Sequence, residues 1–168
     1  DFDLKENILL DLINFQTDTN KTSNIKADYS IKNKNFTFNS IDFTEDKNSI
    51  AIKDLVINNK NEIEKLSSIK ILTFKKDVEN NNFIVNFGEK ISISGKKYDA
   101  SNLLKLLSNK SETNQFKNFS KEVEVQIKNL TTKSNVPLNN FRLIALLEKG
   151  KFSKISSKSE FTKGKYLD

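Results

Sequence analysis

The chain has 168 residues and a mass of 19.3 kDa, about the size of one domain. With 36% apolar side chains, 30% charged ones and a net charge of +6, it cannot wrap a thick interior. Its Ile, Leu and Val nevertheless recur regularly, which speaks against disorder and for a thin, sheet-rich layer. There is no Cys and no His, so disulfides, zinc–thiolate sites and thiol catalysis are excluded. The side chain most used for acid–base work near neutral pH and for metal ligation is also missing. Most enzyme classes are thereby disfavoured, and no catalytic residue, metal or cofactor is implied.

Basic residues are Lys with the single exception of Arg142, and Asn and Ile are abundant. All three have A/T-rich codons, so mutational bias accounts for much of the basic excess without an anionic partner. The chain contains no Met and reads as a segment of something longer. No run approaches the roughly 20 apolar residues of a membrane span, and no signal-peptide pattern opens the chain.

In chain order, Leu4–Gln16 reads as an opening strand, long enough to curl, with Ile8–Phe15 apolar on both faces. Ile25, Ala27, Tyr29 and Ile31 then alternate with polar residues, as in a half-buried strand. Phe36 and Phe38 begin the next run, and Ile41 and Phe43 continue it one residue out of phase, which predicts a bulge near Asn39–Ser40. Ile50, Ile52, Leu55 and Ile57 show the same slip near Lys53–Asp54. The run Ile63–Phe74 is again long for a strand. Phe83, Val85 and Phe87 alternate, as do Ile91 and Ile93, and later Val123, Val125 and Ile127. Phe141–Leu147 is apolar on both faces, and Phe152–Ile155 follows it.

The separators are mostly Asn, Lys and Asp. Asn tolerates positive φ and replaces Gly in tight turns, which explains how four Gly suffice. Short connections predict that neighbouring strands pair antiparallel as a meander. One segment breaks the pattern. Asp99 is placed as an N-cap, and Ala100, Leu103, Leu104 and Leu107 fall on one helical face, so a short amphipathic helix is expected over Asp99–Ser108. A polar loop, Asn109–Ser120, should follow. The expected organisation is therefore one domain. Residues 1–95 form an antiparallel meander, 96–120 hold the helix and loop, and 121–168 continue the same sheet.

Candidate chemistry is sparse. The pairs Glu62/Glu64 and Glu122/Glu124 would each share a strand face, but Val123 and Val125 claim the buried side and push Glu122 and Glu124 into water, where carboxylates keep ordinary pKa values. Glu45-Asp46-Lys47-Asn48 lacks the ligand spacing and Gly of a calcium loop. No phosphate loop or nucleophile elbow appears. The C-terminal half is basic, with 16 basic and 8 acidic side chains against 12 and 14 before residue 85. Its aromatics Phe141 and Phe152 fall in apolar runs, however, so core packing is the better reading and no nucleic-acid partner is expected. Apolar surface is the informative feature. Either it fills a two-layer sandwich, or it lines a curled sheet whose concave face is an open trough for a lipid acyl chain.

The order of elements carries a resemblance. Meandering strands lead to Lys90–Gly95 (KISISG), then Tyr98–Leu104 (YDASNLL), a polar loop, Val123–Leu130 and Phe141–Leu147. This pattern, with Ile50–Ile57 and Ile63–Ile71 before it, resembles the AsmA-like domains of large bacterial envelope proteins of the YhdP/TamB type. The resemblance implies a mainly β fold: a curled antiparallel meander forming an open groove or thin sandwich, with one short helix. It also implies a non-enzymatic, periplasmic part of a bridge-like lipid transporter, held to the inner membrane by an anchor outside this segment. Partners would be phospholipid acyl chains and other envelope proteins. The groove lining would include Val123, Val125, Ile127, Leu143, Ala145 and Leu147, with Leu103, Leu104 and Leu107 capping it. A structural or adhesive envelope module with a closed core is the alternative. In a slice of a longer groove, the opening strand Ile8–Phe15 is expected to be an unprotected edge that continues a sheet supplied by preceding sequence.

Overall fold

The computed structural model describes residues 1–4, 6–102, 120–133, 137–148, 151–162 and 165–167. The period-2 pattern produces a mainly β protein. The long strands, in chain order, are β4 (Ser23–Lys32), β5 (Asn35–Glu45), β6 (Asn48–Ile57), β8 (Ser68–Lys75), β9 (Val78–Phe87), β10 (Ile91–Asp99), β11 (Lys121–Thr131), β12 (Pro137–Glu148) and β13 (Lys151–Thr162). Short pieces complete the set: β1 (Phe2–Leu4), β2 (Leu9–Leu10), β3 (Phe15–Gln16), β7 (Ile63–Lys65) and β14 (Lys165–Leu167). Twelve of these strands form one sheet that runs from β1 at one edge to β14 at the other, and it does not close into a barrel. Among the described residues there is no α-helix and no element long and apolar enough to cross a membrane as a helix.

The β4–β5 and β8–β9 hairpins turn tightly without glycine. Asn33 and Lys34 both have positive φ, as do Lys76 and Asp77, the signature of two-residue turns whose twist matches that of the flanking strands. A side chain in this region carries a steric cost that Gly avoids. Lys34→Gly is therefore expected to raise stability by about 0.5–1 kcal/mol, read as a higher urea midpoint at unchanged slope.

The expected phase slips are real. The β4–β5 register passes from Asp28↔Ser40 to Tyr29↔Phe38, leaving Asn39 as the bulged residue. On β6, Asp54 takes positive φ, and the pairing with β5 resumes at Phe38↔Leu55. The two irregularities keep Phe36, Phe38 and Leu55 on the face already held by Ile41, Phe43, Ile50 and Ile52.

Four expectations are corrected. Leu4–Gln16 is not one strand: β1 pairs with β4, while β2 and β3 form a separate two-stranded hairpin around a 3-10 turn, Asp11–Ile13. Asn14 ends that turn in the left-handed region, and the change of direction explains the apparent two-faced hydrophobicity, because Ile13 and Phe15 turn inward while Leu9 and Leu12 stay exposed. The terminal strands of the large sheet are therefore β1 and β14, and Ile8–Phe15 lies outside that sheet. Second, Ile63–Phe74 breaks into β7 and β8 at Leu66–Ser67, where buried Leu66 anchors the corner.

Third, the meander is interrupted. β10 and β11 pair in parallel, from Ile91↔Val123 to Asp99↔Thr131. A parallel neighbour requires a long crossover, and residues 100–120 supply it. Fourth, residues 96–99 extend strand β10 to Asp99, so Asp99 ends a strand. Its carboxylate accepts from the Ser101 amide at 3.0 Å, the local bond a cap would make. Leu103, Leu104 and Leu107 of the expected helix, and residues 109–119 of the expected loop, lie outside the described residues.

Candidate apolar groove

Register turns the alternating residues of separate strands into rows that cross the sheet. One row runs Phe2–Ile25–Phe43–Ile50–Ile71–Phe83–Gly95–Ile127–Phe141, each residue directly opposite the next on the neighbouring strand. The adjacent row on the same face runs Ala27–Ile41–Ile52–Ile69–Val85–Ile93–Val125–Leu143. Seven steps between strands at about 4.8 Å make this second row roughly 34 Å long. It is an unbroken apolar band perpendicular to the strands.

The two rows differ in cover. In the first, Phe43, Ile71, Phe83 and Ile127 are buried, Ile127 to 1% exposure. They form the core together with Ile13 and Phe15 from the N-terminal hairpin. Burial of each such side chain stabilises the fold by about 1.5–3 kcal/mol. In the second row, Ala27, Ile41, Ile52, Ile69, Val85, Ile93 and Leu143 are only half-buried, and Val125 alone is closed off. Past the Asn39 bulge the same face ends in an uncovered aromatic patch. Tyr29 is 55% exposed and Ile31 59%, and the rings of Tyr29, Phe38 and Phe36 follow one another at 5.8 and 6.4 Å.

The six residues expected to line the groove all fall on this face of β11 and β12. Val123↔Ala145, Val125↔Leu143 and Ile127↔Phe141 are opposed pairs, and Leu147 lies opposite Lys121. Leu143 is half-buried, whereas Val123, Val125, Ile127, Ala145 and Leu147 are buried in the protein's own interior. The accessible floor lies toward β5–β10 and is made by Ile41, Ile52, Ile69, Val85 and Ile93. Each was visible as an alternating apolar residue, but only the register aligns them. Phe141 packs on the core, while Phe152 is half-exposed, against the reading of it as a core residue.

Polar networks hold the N-terminal hairpin over one end of the core. Asn81, fully buried, donates to the Ile13 carbonyl at 2.7 Å and to Thr73 Oγ1 at 2.8 Å, and accepts from the Asp99 amide at 2.9 Å. Asn14 donates to the Asp99 carboxylate at 2.8 Å. Burial pushes the Asp99 carboxyl up, but hydrogen bonds from Ser101 and Asn14 outweigh it and hold the group below its ordinary value. Glu45, also buried, accepts from the Asp18 amide, Ser23 Oγ and Asn48 Nδ2 and ties down the following loop. Every described buried side-chain donor and acceptor has a partner.

Tyr98 packs against Phe83, ring centres 4.9 Å apart and planes tilted by 56°, and its hydroxyl donates to the Leu12 carbonyl at 2.9 Å. Burial, with the Asp99 charge adding to it, pushes this phenol up from 10.0 to about 12. A folded-state value above the unfolded one means that stability is fully present below pH 10 and is lost as pH rises through the interval to 12. The expected loss is on the order of 2–3 kcal/mol, absent in Tyr98→Phe, when unfolding of the two proteins is compared across this interval.

The polar groups on the opposite face make ordinary surface contacts. Glu122 is exposed, and Glu124 pairs with Lys90, which holds the carboxyl down and the ammonium up. Among the described residues no three acidic side chains converge as metal ligands would. A shallow depression of about 150 Å³ lies between the hairpin and β8, lined by Leu9, Asn14, Phe15, Gln16, Phe74 and Lys75. That is well under the roughly 300–1,000 Å³ of a small-molecule site. The chain matches no family model, no curated protein and no solved structure. What the fold offers a ligand is the apolar band itself.

Proposed function

We propose that this protein is a non-catalytic carrier of phospholipid acyl chains, a segment of an AsmA-like bridge in the bacterial periplasm whose apolar sheet face shields the chains from water. In that role the full protein is anchored in the inner membrane and passes phospholipid toward the outer membrane. The observation that supports this reading is the half-buried row from Ala27 to Leu143. It runs across the strands, so stacked segments would continue it end to end, and at roughly 34 Å it exceeds the about 15 Å spanned by one leaflet's hydrocarbon. Eight methylenes laid on such a floor would contribute about 6 kcal/mol.

The closed-core envelope module draws its support from Val123, Val125, Ile127, Ala145 and Leu147, which the protein already buries. The two readings separate on incubation with vesicles that contain a phospholipid with a fluorescent acyl chain. The carrier retains the probe through gel filtration and shields it from an aqueous quencher. A protein that emerges without probe is not a carrier.

A further inference from the structure

Among the described residues the strand order leaves two long edges uncovered, one on β13 before Ser159 and one on β4. β1 pairs with β4 only at Ser23, Asn24 and Ile25, so from Lys26 to Lys32 β4 has β5 on one side and no strand among the described residues on the other. Unpaired backbone donors and acceptors in such a row are a template for another strand. Asp28, Tyr29, Ser30, Ile31 and Lys32 are all exposed.

We propose that this edge binds the same edge of a second copy, joining two sheets antiparallel about a two-fold axis at Ser30. The side chains select that partner and that register. Directly opposed residues in an antiparallel pair point to the same face, and an isologous pairing repeats each contact twice. With the axis at Ser30, Asp28 faces the second copy's Lys32 on the polar face, and Tyr29 faces its Ile31 on the apolar face, each pairing occurring twice. With the axis at Tyr29, Lys26 would oppose Lys32. With the axis at Asp28, that carboxylate would oppose itself. With the axis at Ala27, Tyr29 would oppose Ile25, whose edge β1 already occupies. Registers shifted by an odd number set polar against apolar side chains. Of these registers the Ser30 one alone satisfies both faces within the strand, Lys26 meeting only Lys34 of the turn beyond β4, and it covers the exposed Tyr29 and Ile31.

The contact is short, so a weak, concentration-dependent dimer is expected. Sedimentation equilibrium of the intact chain tests it together with reciprocal charge exchange. Asp28→Lys and Lys32→Asp each set like charges together twice per dimer and should each weaken association about tenfold. The double variant Asp28→Lys/Lys32→Asp recreates both opposite pairs and should restore wild-type association. Circular dichroism checks that each variant remains folded, which the exposure of both positions favours. A monomer at every concentration, single variants that associate like wild type, or a double variant that fails to recover would each overturn the proposal. The first of these would leave the edge to a strand from a different protein.

Discussion

Replacing Gly95 with alanine is expected to destabilise the protein by about 3 kcal/mol, at the upper end of the overpacking range, and replacement with valine to abolish folding. Gly95 sits in the buried row between Phe83 and Ile127. A Cβ placed there would lie 2.4 Å from the Asn82 carbonyl oxygen and 2.4 Å from the Phe83 Cβ. Both atoms are fixed by the β9–β10 ladder, and they cannot withdraw without shifting the register of two central strands. Gly88 provides the control, because its nearest contact would be 3.8 Å away. Gly88→Ala should be close to neutral. Urea unfolding reads both, and equal effects at the two positions would contradict the packing described for Gly95.

The second large effect separates an open floor from a closed core. Ile69 and Ile71 lie on the same face of the same strand, two residues apart, one in each row. Ile71 is 8% exposed within the core. Ile71→Glu buries an unpaired carboxylate and should cost more than about 4 kcal/mol, enough to unfold a protein of ordinary stability. Ile69 packs against the edge of that core but is only half-buried, so a glutamate there keeps access to water. Ile69→Glu should fold with a loss of about 1–2 kcal/mol and no longer retain acyl chains. If both variants unfold, the second row is interior. If Ile69→Glu folds and binds lipid like the wild type, acyl chains do not lie on this face.

Much of this face was legible in the residues before any fold was known. Alternation placed Val123, Val125 and Ile127 on one side of their strand, while Leu143, Ala145 and Leu147 came from a run apolar on both faces, and the phase slips near Asn39 and Asp54 located the irregularities. These features survive because period-2 patterning and turn chemistry are local. Accessibility is not local. Val125 and Ile69 look alike in sequence, each a β-branched residue between polar neighbours, and they share a row. Only the tertiary packing closes one and leaves the other half-open.

Topology was harder to read for the same reason. Ile91–Asp99 and Val123–Leu130 carry nothing that distinguishes a parallel partner from an antiparallel one. Ile8–Phe15 misled because a 3-10 turn between two very short strands has no period long enough to recognise. There the deciding signal was Asn14, a residue tolerant of the left-handed region.

Native mass spectrometry of the purified chain tests the acyl-chain reading most directly. Gentle ionisation should reveal, beside the 19.3 kDa protein, a discrete additional mass of one phospholipid that organic extraction removes. Ile69→Glu should lack that species while keeping the narrow charge-state distribution of a folded protein. A wild-type chain that carries no phospholipid, either as purified or after equilibration with vesicles, would contradict the account.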